Sequence, residues 1–227
     1  MIQTATENLE KVVDEIQIKN KFGVSGVGIE TKSLADEALK LKKEYILDMG
    51  TGTGYTAIFL AKKGYKVDAC DISENALICA RNNAKANNAQ IQFFRSHLFS
   101  NAESVYDLII FNPPANSQLT KLTEYITVMT WFLRKSRLLS KFFAFLIHGT
   151  FKNNRIELLV SFIMSAKKHL KEKGIILLHL VGNEPDSIQK ELPEVMLSTV
   201  LKMNSIEHII KVEFPSQEVR DVHTTRD

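Results

Sequence analysis

Gly50, Gly52 and Gly54 follow the apolar run Tyr45–Asp48 and precede a segment of helical character that begins at Tyr55. Glycine lets a backbone turn sharply and approach a ligand with no Cβ in the way. A helix N-terminus beyond such a turn offers unpaired N–H groups. The spacing is G-x-G-x-G, because Tyr55 follows Gly54, and it departs from the G-x-G-x-x-G dinucleotide fingerprint. Asp71 closes the next apolar run, Val67–Asp71, where a carboxylate can accept hydrogen bonds from both hydroxyls of a ribose. Asp48 precedes the loop and can orient it or reach an amino group of a ligand. Thr51 and Tyr55 complete the candidate cofactor-binding set of this turn. A tight strand-to-helix turn with no ligand is the competing reading of the glycines, and the two acids count against it.

A second group of residues suits a different task. The run Asp107–Phe111 leads straight into Asn112-Pro113-Pro114. Two prolines fix φ twice and remove two backbone donors, which leaves a stiff turn offering carbonyls and one amide side chain. Asn112 Oδ1 and the Pro113 carbonyl can both accept from an NH2 group. Asn112, Pro113 and Pro114 are therefore the candidate catalytic residues. A proline turn that only ends a strand is the alternative.

These residues need elements to hold them. Tyr45–Asp48, Lys66–Cys70, Ile91–Phe94 and Asp107–Phe111 read as strands, the last as an almost continuous apolar run suited to a buried parallel strand. Helices are expected from Tyr55 to Lys63 and from Glu74 to Ala86, then over 155–172, followed by a strand at 175–181, a helix at 193–203 and a strand at 208–214. Alternation of this kind predicts an α/β fold: a Rossmann-like, doubly wound, mostly parallel sheet with helices on both faces. Right-handed crossovers then gather the loops after each strand on one edge, where ligands bind. Leu9, Val12, Val13 and Ile16 predict an amphipathic helix over 4–19. Residues 20–33 read as a glycine-containing loop, and Ser33 as the cap of a helix running through Lys43. The chain thus divides into an N-terminal helical extension with a covering loop, 1–44, and a main domain, 45–227. Residues 116–150 interrupt the rhythm and read as an inserted helical cap, roughly 120–146.

The segment 45–54, YILDMGTGTG, resembles the first motif of class I S-adenosylmethionine (SAM)-dependent methyltransferases, and 67–71, VDACD, resembles their second. The resemblance spans about residues 20–181 and is best between 45 and 114. It implies SAM as cofactor, with the loop of Asp48, Gly50, Gly52 and Gly54 against the amino acid part, Asp71 on the ribose and Ile72 on the adenine. Asn112-Pro113-Pro114 looks like the NPPY motif of nitrogen methyltransferases, most like the group containing release-factor glutamine and ribosomal RNA guanine-N2 methyltransferases. His148-Gly149 through Arg155, and Lys173-Gly174 with the apolar run after it, look like that group's next elements.

The chain departs from the pattern at three places. Ala115 stands where the group has an aromatic that stacks on a planar target, a contact worth about 1–3 kcal/mol for a nucleobase. Tyr125, Trp131 or Phe151 is a candidate substitute ring. His97 stands where the group has an acid that accepts from the adenine amino group; a neutral imidazole can do so through one nitrogen, and Ser96 is the other acceptor. Residues 23–31 sit where relatives have a loop that closes over SAM, which makes Glu30 and Thr31 plausible contacts.

Charge and composition set the remaining bounds. The net charge is +3, yet residues 117–173 carry eleven Lys and Arg against three acids, so the rest is net acidic. Such a concentration can attract RNA, an acidic protein or an anionic metabolite, and a solvated helix face is the plainer reading. Cys70 and Cys79 have no CxxC spacing and read as core residues of a protein from a reducing compartment. No metal is expected, since His148, His169, His179, His208 and His223 lack ligand spacing. No signal peptide or membrane-length apolar run is evident, and a cytoplasmic location is expected. The expected partner is a protein or RNA substrate, with no membrane. The leading reading is SAM-dependent methylation of a side-chain amide or amine, or of an exocyclic RNA amine. Against it stand a small-metabolite methyltransferase, a nicotinamide oxidoreductase that the glycine spacing and the Asn-Pro-Pro turn both disfavour, and a non-catalytic binding scaffold.

Overall fold

Consecutive apolar residues that are buried on both sides build the centre of the fold. In the strand Tyr45–Met49 (β3), Ile46 and Leu47 are both fully buried yet join different cores, because alternate side chains leave opposite faces. Tyr106–Phe111 (β6) repeats the pattern, with Leu108 and Ile110 on one face and Ile109 and Phe111 on the other. A computed structural model describes residues 10–13, 15–21, 23–113 and 155–215. Its main sheet has seven strands. Lys66–Asp71 (β4) and Gln92–Arg95 (β5) lie to one side of β3. On the other side lie β6, Leu170–Val181 (β7), Glu207–Glu213 (β9) and Met196–Lys202 (β8), giving the order β5-β4-β3-β6-β7-β9-β8.

Pairing is parallel from β5 through β7, while β9 runs antiparallel to both β7 and β8. The chain winds outward from β3 to β5, then returns to place β6 on the other side of β3. β3 and β6 therefore flank a topological switch point, and the crevice beyond their carboxyl ends is where such sheets bind ligands. The helices Ile29–Lys40 (α1) and Tyr55–Lys62 (α2) cover one face. Glu74–Ala86 (α3) packs beside them through Ala84, and a helix over 155–166 (α4) and Glu184–Glu191 (α5) cover the other face.

Several expectations change. Residues 10–13 (β1) and 16–19 (β2) form an antiparallel hairpin, not part of a helix over 4–19. The β-branched Val12, Val13, Ile16 and Ile18 favour strand, Ile16 and Ile18 alternate with exposed neighbours, and Glu15 makes the turn at φ 64°. α1 begins at Ile29 behind Gly28, so Ser33 lies inside it rather than capping it, and Glu30 and Thr31 sit in its first turn. α4 stops at 166, a short 3-10 turn follows over Lys167–His169, and β7 starts five residues before the expected 175. The helix expected over 193–203 is the strand β8: Thr199 and Val200 are β-branched, and the segment finds a partner in β9. α5 was not expected, because its one fully buried apolar side chain is Ile188. The inserted cap at 116–150 lies outside the described residues.

Candidate active site

The glycine turn is built by backbone conformation. Gly50, Gly52 and Gly54 all have positive φ, at 67°, 55° and 84°. The space around each differs. A Cβ on Gly54 would sit 3.0 Å from the Ala80 Cβ, so this glycine lets α3 pack against the start of α2. A Cβ on Gly52 would meet nothing nearer than 3.9 Å, so this glycine keeps a face of backbone open. The turn is anchored by Thr51 N–H donating to the Cys70 carbonyl at 3.0 Å and by Gly54 N–H donating to the Thr51 carbonyl at 2.8 Å.

Both acids bind this turn. Asp48, at the end of β3, is 5% exposed and accepts from the Thr51 hydroxyl at 2.6 Å. Burial pushes its carboxyl up to about 7, opposed by the Thr51 hydroxyl and the Ala57 backbone N–H. Asp71, half-buried at the end of β4, accepts from Gly52 N–H at 3.0 Å through one oxygen and from Ser73 N–H at 2.9 Å through the other. Ile72 beside it is 58% exposed, an uncovered apolar side chain at the rim. Tyr55 is 1% exposed and its ring stacks on Phe59. Gly50 to Gly54, Asp48, Asp71 and Ile72 are thus gathered at one corner, and their donor and acceptor set suits a nucleoside with a cationic amino acid tail.

Ser96 and His97 follow β5 on the same edge. The buried Ser96 hydroxyl donates to the Leu98 carbonyl at 2.6 Å and accepts from Asn101 N–H at 3.1 Å, so it braces its own turn. The His97 side chain is exposed, with no hydrogen-bond partner among the described residues. Val24 and Ser25 lie over the glycine turn: the atoms nearest a Gly52 Cβ include the Ser25 carbonyl oxygen and Val24 Cγ1.

The second centre lies one strand away, at the end of β6. Asn112 Nδ2 donates to Thr31 Oγ1 at 3.2 Å, which ties the turn to the first turn of α1 and leaves Oδ1 as the acceptor of that amide. The Pro113 carbonyl accepts from Arg155 Nη1 at 3.1 Å. Arg155, at the start of the described part of α4, also donates Nε to Glu184 Oε1 at 2.5 Å and Nη2 to Glu184 Oε2 at 3.3 Å. Glu184 in turn accepts from Val181 N–H at 2.8 Å, at the end of β7. Pro114, Ala115, Tyr125, Trp131 and Phe151 lie outside the described residues. His179 lies one position beyond the Leu178–Phe111 pair. It is 6% exposed, and its Nε2 has no hydrogen-bond partner among the described residues. Burial holds its pKa below the usual histidine value.

Sequence reasoning missed the supports. Arg155 and Glu184 are 29 positions apart, and no spacing rule pairs them. Pro185, a proline at a helix start, was the available signal for α5 and so for Glu184 at its N-terminus. Asn83 on α3 and Asn87 at its C-terminal cap hold β2 like an added strand. Asn83 accepts from Lys19 N–H and donates to the Lys19 and Thr53 carbonyls, while Asn87 accepts from Gln17 N–H and donates to the Gln17 carbonyl.

The chain matches the family described as methyltransferase small domain over residues 15–141. A relative in Methanocaldococcus jannaschii, whose provisional name is protein N5-glutamine methyltransferase, is 34% identical over 180 residues, covering 76% of this chain and 80% of the relative. The release factor glutamine methyltransferase of Bacteroides thetaiotaomicron is 40% identical over 110 residues, 45% of this chain but 39% of that protein. Among solved structures, a T. thermophilus 16S rRNA N2 methyltransferase in complex with AdoMet and guanosine superposes with a TM-score of 0.60 at 14% identity. It covers 91% of this chain and 50% of that one.

Proposed function

The chain belongs to the methyltransferase small domain family, and we propose that it methylates a planar nitrogen with SAM as donor, the side-chain amide of a protein glutamine being the favoured target. The observation that carries this reading is the pairing of two acceptor centres across the switch point. One is the glycine turn with Asp71. The other is the Asn112-Pro113 turn, whose amide donates to Thr31 Oγ1 and whose Pro113 carbonyl accepts from Arg155. SAM, when bound, supplies a sulfonium methyl group, so the chain needs to position and need not generate the electrophile.

In this reading Asp71 turns its carboxylate to the ribose hydroxyls, Gly50 and Gly52 give the amino acid tail close access to backbone, and Thr51 and Tyr55 lend the backbone of the same turn. Ile72 covers one face of the adenine, with Ser96 or His97 at its edge. Asp48, poised near neutrality, gains charge when a cationic tail approaches. Asn112 Oδ1 and the second lone pair of the Pro113 carbonyl accept the two N–H groups of the target, which fixes where its nitrogen sits. Positioning of this kind is most of what methyl transfer asks, since misplacement by about 1 Å costs about 100-fold in rate. Val24 and Ser25, over the glycine turn, belong to the cover. Two free, buried cysteines suit a cytoplasmic protein; among the described residues no helix is long and apolar enough to cross a membrane.

The favoured target is a glutamine because the relative spanned along most of its length bears that name, and because a primary amide presents two N–H groups to the two acceptors. An exocyclic RNA amine is the second reading, favoured by the excess of basic residues over 117–173, of which Lys167, Lys168, Lys171 and Lys173 are exposed. Transfer of labelled methyl from SAM into extract separated into protein, RNA and small molecules tests both. Label in protein, released as N5-methylglutamine on digestion, supports the first reading. Label confined to RNA selects the second, and label in neither macromolecule overturns the proposal.

A further inference from the structure

Arg155 and Glu184 are 9% and 7% exposed, and the ion pair between them is bidentate. Two charges taken out of water are an expensive way to hold a fold together, and a well-packed apolar pair often does as well or better. What the pair does that an apolar pair cannot is donate beyond Glu184, and an Nη1 N–H goes to the Pro113 carbonyl. Proline fixes its own φ, so the torsion that still sets the direction of this carbonyl is ψ. An N–H from a guanidinium held through Nε and Nη2 by Glu184 removes that freedom. Glu184 is itself locked to Val181 N–H, so the direction of the carbonyl is referred back to β7, the strand beside β6. A carbonyl oxygen has two lone pairs, and one bond from Arg155 leaves the other for a target N–H.

We infer that the buried Arg155–Glu184 pair is a positioning device for the reaction: Arg155 aims the Pro113 carbonyl at the target nitrogen, and Glu184 holds Arg155 in the orientation that does so. This rests on the reading of Asn112-Pro113 as the target site. On the other side Asn112 Nδ2 donates to Thr31 Oγ1 in the first turn of α1, which fixes the plane of the amide and so the direction of Oδ1. The two acceptor groups are thus oriented from different elements, the Pro113 carbonyl by a donor on α4 and the Asn112 amide by an acceptor on α1.

The test uses the full chain and four variants: R155K, R155A, E184Q and the apolar pair R155M/E184L. The apolar pair is expected to keep its thermal midpoint and to bind SAM within about threefold of wild type by calorimetry. Its kcat for labelled-methyl transfer should fall about 100-fold with KM moved less than about threefold, the scale of a misplaced reacting group. R155K, with charge but no fork, should sit between. Methylguanidine at millimolar concentration should restore R155A at least about tenfold and leave Asn112→Ala unchanged. A stable apolar pair that transfers at the wild-type rate overturns the inference. In chain labelled with 13C at proline carbonyls, the Pro113 resonance should move in R155A; if it stays put, Arg155 does not hold that carbonyl. That readout needs no substrate. A wild type that methylates nothing therefore sinks the functional reading while the inference is still decided.

Discussion

Asp71 and Asp48 occupy similar positions at the ends of neighbouring strands, yet they do different work. Asp71 is half-open and already collects two backbone N–H groups. Replacing it with alanine removes an acceptor for two ribose hydroxyls, and hydrogen bonds to a charged group are worth about 1.5–3 kcal/mol. Asp71→Ala is therefore expected to weaken SAM at least about tenfold by calorimetry, whereas Asn112→Ala should leave SAM affinity within about threefold and abolish transfer. Asp48 is closed in, and its raised pKa makes a pH signature. An unfolded aspartate ionises near 3.9, so between about pH 4 and pH 7 the folded chain holds a proton that the unfolded chain has lost. The stabilisation from this group is complete below pH 4, falls as pH rises, and is gone above about 7. Urea unfolding of wild type and Asp48→Asn across pH 4–8 should show wild type losing stability relative to the variant over that window; parallel curves would contradict it. These acids, the glycines and Asn112 were legible in sequence because each sits at the end of an apolar run, where a polar residue needs a reason. The pairing of Arg155 with Glu184 was not, because a buried ion pair between distant segments leaves no local pattern.

At the scale of elements, strands buried on both faces were readable from runs such as Asp107–Phe111, and the helices α2 and α3 from their apolar spacing and flanking signals. The failures have one physical cause. Residues 10–19 and 196–202 carry apolar positions that satisfy a helical and an extended pattern alike, and tertiary pairing decides between them. For the hairpin the deciding partner is α3. Asn83→Ala deletes the acceptor for Lys19 N–H and the donor for the Lys19 and Thr53 carbonyls. The loss should be about 2 kcal/mol locally, read as amide exchange at Lys19 about thirtyfold faster than in wild type. Exchange unchanged at that amide would mean that the hairpin is held by its apolar face alone. Gly54→Ala acts on the next junction. It asks an L residue to hold φ 84° and drives its Cβ to 3.0 Å from the Ala80 Cβ. The expected cost is about 2 kcal/mol, seen as a thermal midpoint lower by about 4–8 °C. Gly52→Ala meets no such neighbour, so it should lose less stability and more of its SAM affinity.

For the whole molecule, the decisive feature is that β3 and β6 are adjacent while their connections run in opposite directions along the sheet. This reversal opens the crevice, and it puts Asp71 on one side and the Asn112-Pro113 turn on the other without either loop having to reach. It also means that a bound SAM molecule would touch residues from β3, β4, β5 and the cover over them, elements far apart in sequence. A ligand that binds the folded chain and not the unfolded one stabilises the whole fold by mass action, by about 2.7 kcal/mol at a hundredfold excess over Kd. For a chain of this size that is a rise of about 5–11 °C in thermal midpoint. SAM should produce it and NADH should not, because the turn lacks the third glycine spacing of the dinucleotide fingerprint. A shift with NADH and none with SAM would reassign the crevice to hydride transfer. A shift with SAM that survives in Asn112→Ala and disappears in Asp71→Ala would separate the two centres, one holding the donor and the other its target.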